Sequence, residues 1–246
     1  MALLPLIAIA SIAAKPPATP AMAGFEPLTA RPGQAALCTR DRTWCIGGVH
    51  GATPLVITVN GKQIARWSPD APEDDLQLQP LPHMLRFRDG SALVPVEARE
   101  PVMYSGGGGE ITRLHLIHVR PGMAPRTVLI VPWHTDLMIR ACFSEKDEAA
   151  RAGACHDEYA FDGKLTAVKS RTSAPPMLVY AATAQSFPRG VSRTADSLTL
   201  PPLKKSDLIW INDRTCSYRR TFTFDKASGR YKPDMPLPAC DQYSSR

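Results

Sequence analysis

Short runs in which apolar and polar residues alternate dominate the chain, and this two-residue period is typical of strands that bury one face. The clearest example lies at residues 55–67, where Asn60-Gly61 separates two alternating segments. Asn-Gly favours the positive φ angles of a type I′ turn. We therefore predict a β-hairpin with a two-residue loop, in which Ile57 faces Ile64 across the strand pair.

A second hairpin is predicted around Asp89-Gly90, within residues 83–96. A two-residue loop there places Phe87 opposite Ala92 and Leu85 opposite Val94, so that one face of the pair is apolar.

A third hairpin is predicted at residues 158–168, with Asp162-Gly163 as its turn. Residues 111–119 and 127–131 flank a Pro-Gly connection and predict an antiparallel pair with a longer loop. Further extended segments are expected at residues 137–143, 177–183, 208–212, 217–224 and 230–231.

One short helix is predicted, at residues 144–152. Ser144 is placed to cap its first turn, and Asp147 is placed to form a reciprocal contact with this cap, as in a capping box. Arg151 is expected near the end of the helix. A segment of barely two turns is not stable by itself, so its flanking residues must hold it.

The resulting pattern is all-β, with about a dozen short strands, one small helix and no alternation of strand and helix. Two architectures fit: an antiparallel sandwich or a small propeller-like arrangement. A propeller usually carries sequence repeats, and we find none beyond the recurring hairpins, so we rank the sandwich first. We predict a single β-rich domain over residues 24–246, within which residues 208–246 form a possible C-terminal sub-unit.

Residues 1–23 predict a signal peptide. Residues 2–14 are almost entirely Ala, Leu and Ile, a run shorter than the roughly 20 residues that a transmembrane helix requires. Ala21-Met22-Ala23 is a cleavage signal that leaves Gly24 as the first mature residue, with no membrane span after cleavage. No Lys or Arg precedes the apolar run, and the alternative is a disordered tail on a cytosolic protein.

Six cysteines follow the predicted signal peptide, and an even number in an exported chain favours disulfides. Because they fall into three local couples, we predict the bonds Cys38–Cys45, Cys142–Cys155 and Cys216–Cys240. No Cys-x-x-Cys pair is present, which argues against a structural zinc site. A catalytic thiol would require leaving one cysteine unpaired, which we do not expect.

The charge pattern argues against nucleic acid as a partner. The 29 basic residues exceed the 23 acidic ones by only six, and no run of Lys or Arg exceeds two residues. We also expect no cofactor, because Gly106–Gly109 is followed by Glu110 and a strand, not by the residues of a nucleotide-binding loop. Ser105 lies in no nucleophile elbow. These glycines predict a flexible or close-approach loop.

His115 and His118 are expected to point to opposite sides of a strand, which argues against a shared metal ion. The four tryptophans are expected to be core residues, although an exposed one would suit a carbohydrate or peptide groove. Trp44, inside the short loop between Cys38 and Cys45, is the one whose exposure we would examine first.

The densest cluster of ionisable side chains surrounds the proposed Cys142–Cys155 bond, and Arg151 lies within the same stretch. A His-carboxylate group there suits acid/base chemistry or a divalent ion, whereas an ion-pair network is the commoner outcome and the one we favour. The candidate site residues are His134, Asp136, Arg140, His156, Asp157 and Glu158.

Three functions remain open. The first is a non-enzymatic periplasmic or secreted protein that binds or shields a protein or glycan of the cell envelope. The second is a periplasmic hydrolase or metal-dependent enzyme that uses the cluster formed by His134, Asp136, His156, Asp157 and Glu158. The third is a secreted enzyme inhibitor, which nothing in the sequence separates from the first.

Overall fold

The computed structural model describes residues 22–31, 34–47, 54–69, 75–168 and 175–245. Its strands form two antiparallel sheets, one of eleven strands and one of five, in a sandwich-like arrangement. The all-β prediction and the preference for a sandwich are therefore confirmed.

The smaller sheet has the order β2-β3-β4-β5-β6, in which every strand pairs with its neighbour along the chain. Its strands are β2 (Thr29–Arg31), β3 (Gln34–Cys38), β4 (Trp44–Gly47), β5 (Leu55–Val59) and β6 (Lys62–Trp67).

The larger sheet is built around long strands of 13 to 15 residues. In chain order it contains β1 (Glu26–Pro27), β7 (Gln77–Pro80), β8 (His83–Arg86), β9 (Ala92–Tyr104), β10 (Gly107–Val119), β11 (Arg126–Arg140), β12 (His156–Ala167), β13 (Leu178–Phe187), β14 (Ile211–Asn212), β15 (Arg219–Asp225) and β16 (Arg230–Pro233). Its main path runs β1-β8-β9-β10-β11-β12-β13-β15-β16, while β7 pairs with β9 and β14 pairs with β13. Two short helices, α1 (Glu145–Ala150) and α2 (Asp241–Ser244), complete the fold.

Two hydrophobic cores share β9 and β10. One core lies between the smaller sheet and these strands, where Trp44, Ile57 and Trp67 meet Val94 and Ile117. The other core lies on the opposite side and is larger, with contributions from β11, β12, β13, β15, β16 and α2. Residues 92–98 of β9 are all buried, so this strand separates the two cores.

The hairpin at residues 55–67 is confirmed, but its register differs from the prediction. Asn60 and Gly61 have φ angles of 51° and 77°, as a type I′ turn requires. A β-bulge then shifts the pairing, so Ile57 lies opposite Ala65. The predicted pairing of Ile57 with Ile64 is wrong.

The hairpin around Asp89-Gly90 has a three-residue loop. The amide of Phe87 donates to the Ser91 carbonyl at 2.8 Å, and Leu85 lies opposite Leu93. The Asp89 carboxylate accepts from both the amide and the hydroxyl of Ser91, at 2.9 and 2.6 Å, which stabilises the longer loop. The predicted pairings of Phe87 with Ala92 and of Leu85 with Val94 are therefore wrong by one residue.

No hairpin forms at Asp162-Gly163, and this prediction is wrong. Strand β12 runs straight through the two residues and pairs with β11 and β13. Gly163 is needed for packing, because a Cβ atom there would lie 2.9 Å from the Tyr180 ring and 3.0 Å from the Trp133 ring. The separate strand expected at residues 137–143 is the continuation of β11.

The predicted short helix is confirmed as α1. The Ser144 hydroxyl accepts from the Asp147 amide at 3.3 Å, as an N-cap does. The Asp147 carboxylate accepts from the amide of Phe143 at 3.0 Å, so the reciprocal contact lies one residue before the cap. Arg151 lies at the end of the helix as predicted, and its side chain is buried.

All three predicted disulfides are confirmed: Cys38–Cys45, Cys142–Cys155 and Cys216–Cys240. The first bond joins paired residues of β3 and β4. The second closes the excursion that contains α1 between β11 and β12. The third attaches the segment before α2 to the segment between β14 and β15.

Both ends of the described chain pack against the larger sheet. Met22 is buried, and the Ala167 amide donates to the carbonyl of Ala23 at 2.9 Å. Within residues 208–245, β15 pairs with β13, and Phe222 and Tyr243 lie in the larger core. Neither described helix has the length and apolar character needed to cross a membrane.

Candidate functional site

Strands β11, β12 and β13 expose one face of the larger sheet, which we call the outer face. Burial alternates strictly along β12, where odd-numbered side chains are buried and even-numbered ones are wholly or partly exposed. The outer face consists of the even-numbered residues 134–140 and 156–166 and the odd-numbered residues 179–187.

Five of the six candidate site residues lie on this outer face. Arg140 lies opposite His156, and Glu158 lies opposite Met138. His134 lies opposite Asp162, and its Nδ1 is 3.0 Å from a carboxylate oxygen of Asp162. This hydrogen bond raises the pKa of His134. The five residues are His134, Asp136, Arg140, His156 and Glu158.

Asp157 points to the opposite side and is buried. Its carboxylate accepts hydrogen bonds from the guanidinium of Arg151 and the hydroxyl of Ser197. Arg151 also donates to the carbonyl of Ala154 at 2.8 Å. Asp157 thus belongs to an ion pair that ties the α1 excursion to the sheet, and the structure separates it from the other candidate residues.

Two carboxylates lie diagonally across β11 and β12. Asp136 is opposite Ala160, and Glu158 is two residues from Ala160 on the same face. Burial raises the pKa of Glu158, the charge of Asp136 raises it further, and His156 opposes the shift. The pair therefore combines Glu158, whose pKa is raised, with the nearby carboxylate of Asp136.

Arg140 makes contacts that hold local structure. Its Nε donates to the carbonyl of Cys142 at 2.7 Å, and its guanidinium lies 5.1 Å from the centre of the Phe143 ring. A depression of about 300 Å³ beside it is lined by the Cys142–Cys155 bond, Phe143 and His156.

An aromatic pair, of which one ring is exposed and the other half-buried, borders the outer face. Trp210 is 45% exposed, and its ring centre lies 5.7 Å from that of Phe187 at a tilt of 37°. Phe187 lies opposite Glu158, which places the pair beside the carboxylates. Trp44, the tryptophan singled out from the sequence, is buried together with Trp67 and Trp133.

Sequence reasoning missed Trp210 because nothing in its immediate neighbours distinguishes it from a core tryptophan. The one available signal is its position after the proline-rich segment 200–207, at the start of a very short strand. A two-residue strand cannot bury much surface, so a large residue beside it is a candidate for exposure.

The prediction for the two histidines of β10 is confirmed. His115 packs edge-on against Trp67, and His118 packs against Phe87 on the other side. Within the described ranges, no three His, Cys, Asp or Glu residues lie close enough together to hold a metal ion.

The glycines that follow Ser105 allow strands to approach closely as predicted, but residues 107–109 lie in β10 and not in a loop. Gly106 lies in the turn between β9 and β10. A Cβ atom at Gly107 would lie 2.2 Å from the carbonyl oxygen of Met138. A Cβ atom at Gly109 would lie 1.8 Å from the carbonyl oxygen of Asp136. These glycines let β10 pair closely with β11 at the edge of the outer face.

A scan against protein-family models and searches of curated proteins and of solved structures found no match to this chain.

Proposed function

We propose that this is an exported, non-enzymatic protein that binds a glycan on its outer face. The observation that carries the proposal is the contact of the exposed Trp210 ring with the half-buried Phe187 ring, at the border of a face rich in hydrogen-bonding side chains. Three disulfides support an oxidising, extracytoplasmic environment, because such bonds are rare in the cytosol.

The order of side chains on this face suits a sugar chain. One row across the strands contains Met138, Glu158 and Phe187, and the next contains Asp136, Ala160 and Gln185. Aromatic rings accept the apolar faces of sugar rings, while carboxylate and amide groups bind their hydroxyls.

The small side chain of Ala160 lies between the polar groups of Asp136 and Gln185, and Asn212 continues the same row from β14. An alanine at this position leaves room above the sheet for a ligand. Polar groups then flank that space from both neighbouring strands.

The charge of the face selects among glycans. Three acidic side chains, Asp136, Glu158 and Asp162, share the face with two basic ones, Arg140 and Lys164, so the charges nearly balance. Because neither sign of charge dominates, we propose a neutral glycan.

The test is a glycan array followed by calorimetry on the best ligand. Trp210→Ala is expected to weaken binding about tenfold or more, since truncating a central aromatic contact commonly costs more than 1 kcal/mol. Met235→Ala is the matched control, because Met235 is also an exposed large apolar residue but lies outside this face. Failure of every neutral glycan to bind, or equal affinity of the Trp210→Ala variant, contradicts the proposal.

A hydrolase remains the second candidate, and the pair of Asp136 and Glu158 favours it. Glycosidases use two carboxylates, one of which stays protonated to act as the acid, and the pKa of Glu158 is raised by burial and by Asp136. Release of new reducing ends by the wild type but not by the Glu158→Gln variant would establish hydrolysis. Binding without cleavage supports the first proposal.

A further inference from the structure

A second feature lies at the other end of β11, away from Asp136. The loop between β8 and β9, the connection between β10 and β11, and the turn between β15 and β16 enclose a cavity of about 420 Å³. We call it the basic cavity because four basic side chains line it: His118, Arg120, Arg126 and Lys226.

Positive charge exceeds negative charge in this cavity. Asp89 is the one carboxylate among its described lining residues, and it pairs with Arg120 at 3.2 Å. Arg126 and Lys226 form no ion pair within the described part of the chain. Two cationic groups thus face the cavity without a counter-charge from that part of the protein.

The two unpaired cations lie close to each other in the fold. A Cβ atom placed on Gly229 would lie 3.5 Å from Nη1 of Arg126, so the guanidinium packs against the turn between β15 and β16. Lys226 belongs to that same turn. Both cations are exposed at the rim, where a ligand can reach them.

His118 adds a hydrogen-bonding group that lacks a partner. Its Nε2 is buried and makes no hydrogen bond to any described residue. Burial and the charges of Arg120 and Arg126 lower the pKa of His118, whereas Asp89 raises it. Because this nitrogen has no exposed surface, a ligand in the cavity lies beside the His118 ring and not on Nε2 itself.

The remaining lining is partly apolar. Phe87 packs against His118 with ring centres 6.1 Å apart, and Phe224 and Met123 line other walls. A small inorganic ion would leave these side chains without contacts, whereas an organic group would cover them.

We propose that the basic cavity binds a soluble organic phosphate. The phosphate contacts Arg126 and Lys226 beside the His118 ring, and the organic part packs on Phe87 and Phe224. Two unpaired cations match the two negative charges of a phosphate monoester better than the single charge of a carboxylate. This site is separate from the outer face and does not depend on the proposed glycan binding.

The test uses phenyl phosphate as the probe, with inorganic phosphate and benzoate for comparison, in calorimetry at low ionic strength. Phenyl phosphate is expected to bind more tightly than either, because it alone offers both the double charge and the ring. Arg126→Gln and Lys226→Gln are each expected to weaken its binding about tenfold, and added salt to weaken it further. Lys205→Gln is the matched control, because Lys205 is an exposed cation outside the cavity.

Nuclear magnetic resonance of His118 gives a second measurement. A bound dianion is expected to raise the pKa of this imidazole, since an opposite charge favours its protonated form. Absence of phenyl phosphate binding, equal binding of benzoate, or unchanged affinity in both Gln variants overturns the proposal.

Lipids with a phosphate monoester headgroup are the competing source of the same chemistry. We expect the amount of protein that co-sediments with vesicles containing phosphatidic acid to be no greater than the amount that co-sediments with neutral vesicles. Sedimentation that depends on phosphatidic acid and disappears in the Arg126→Gln variant assigns the cavity to a lipid headgroup and overturns the choice of a soluble ligand.

Discussion

Asp157 is the candidate residue whose environment differs most from that of its neighbours, because it is buried with Arg151. Asp157→Ala leaves the Arg151 charge buried and uncompensated, so we expect a loss of about 3 to 5 kcal/mol in the free energy of unfolding. Asp136→Ala, at an exposed position of β11, is expected to cost less than about 0.5 kcal/mol. Urea unfolding of both variants measures the difference, and equal losses would show that the buried pair has no structural role.

His115 makes stability depend on pH. Burial, and to a smaller extent Arg113, lower its pKa from 6.5 to about 4. Between these two values the unfolded chain binds more protons than the folded protein, so stability is complete above pH 6.5 and falls as the pH drops towards 4. The loss from this residue reaches about 3 kcal/mol at most.

The measurement compares unfolding free energies of the wild type and His115→Gln between pH 4 and 7. His83 and His118 also have lowered pKa values, so the wild type loses stability from several sources. Only the difference between the two proteins reports on His115. The variant is expected to show a shallower dependence, and parallel curves would contradict the assignment.

At the scale of single residues, the sequence predicted side-chain direction where a strand was correctly identified. His115 and His118 were correctly placed on opposite sides. The same alternation separates Asp157 from His156 and Glu158. The exposure of Trp210 depends on the path of the preceding segment, which local sequence does not specify.

Gly163 shows how one glycine can be essential to an element. Gly163→Ala forces a Cβ atom against the rings of Tyr180 and Trp133, so we expect a loss of about 1 to 3 kcal/mol in stability. Gly47→Ala is the control, because its nearest neighbour to an added Cβ is 3.8 Å away in a strand of the smaller sheet. Thermal unfolding of the two variants is the measurement, and a neutral Gly163→Ala would contradict the packing role.

The contribution of each disulfide to the free energy of unfolding should increase with the length of the loop that it closes. Their cysteines are separated by 7, 13 and 24 residues. In the chain-entropy model, removing Cys142–Cys155 by paired Cys→Ser substitutions costs about 3 kcal/mol, with a few tenths less for Cys38–Cys45 and more for Cys216–Cys240. Denaturant unfolding without reductant measures each loss, and a reversed order would show that native contacts outweigh chain entropy.

Element type was easier to predict than element length or register. Turn residues located the first two hairpins, but a bulge after Ile57 and the Asp89–Ser91 contacts shifted both registers by one. Asp-Gly at residues 162–163 looked like a turn because local sequence does not reveal that two aromatic rings cross the strand there. Long-range packing decided that case.

For the whole molecule, we propose one cooperative domain, because β9 and β10 belong to both cores. Calorimetry is expected to show a single unfolding transition whose van't Hoff and calorimetric enthalpies agree. Leu55→Ala in the smaller core and Leu165→Ala in the larger one should both lower the midpoint of that one transition. Two separate transitions, each moved by one variant, would mean that the sheets unfold independently.

The overall class followed from the sequence because alternation and turn residues are local signals. The assignment of strands to the two sheets did not, since the strands β9, β10 and β11 each exceed the length that the local pattern suggested. Contacts between residues far apart in the chain decide which face of each strand packs against the smaller sheet.

The double burial of β9 also constrains how this protein can change over evolutionary time. Leu93 points into one core and Val94 into the other, so neither position has a free side towards water. A larger residue at either position must be matched by a smaller residue that faces it in the same core. Families that carry this fold should therefore show correlated substitutions on both flanks of one central strand.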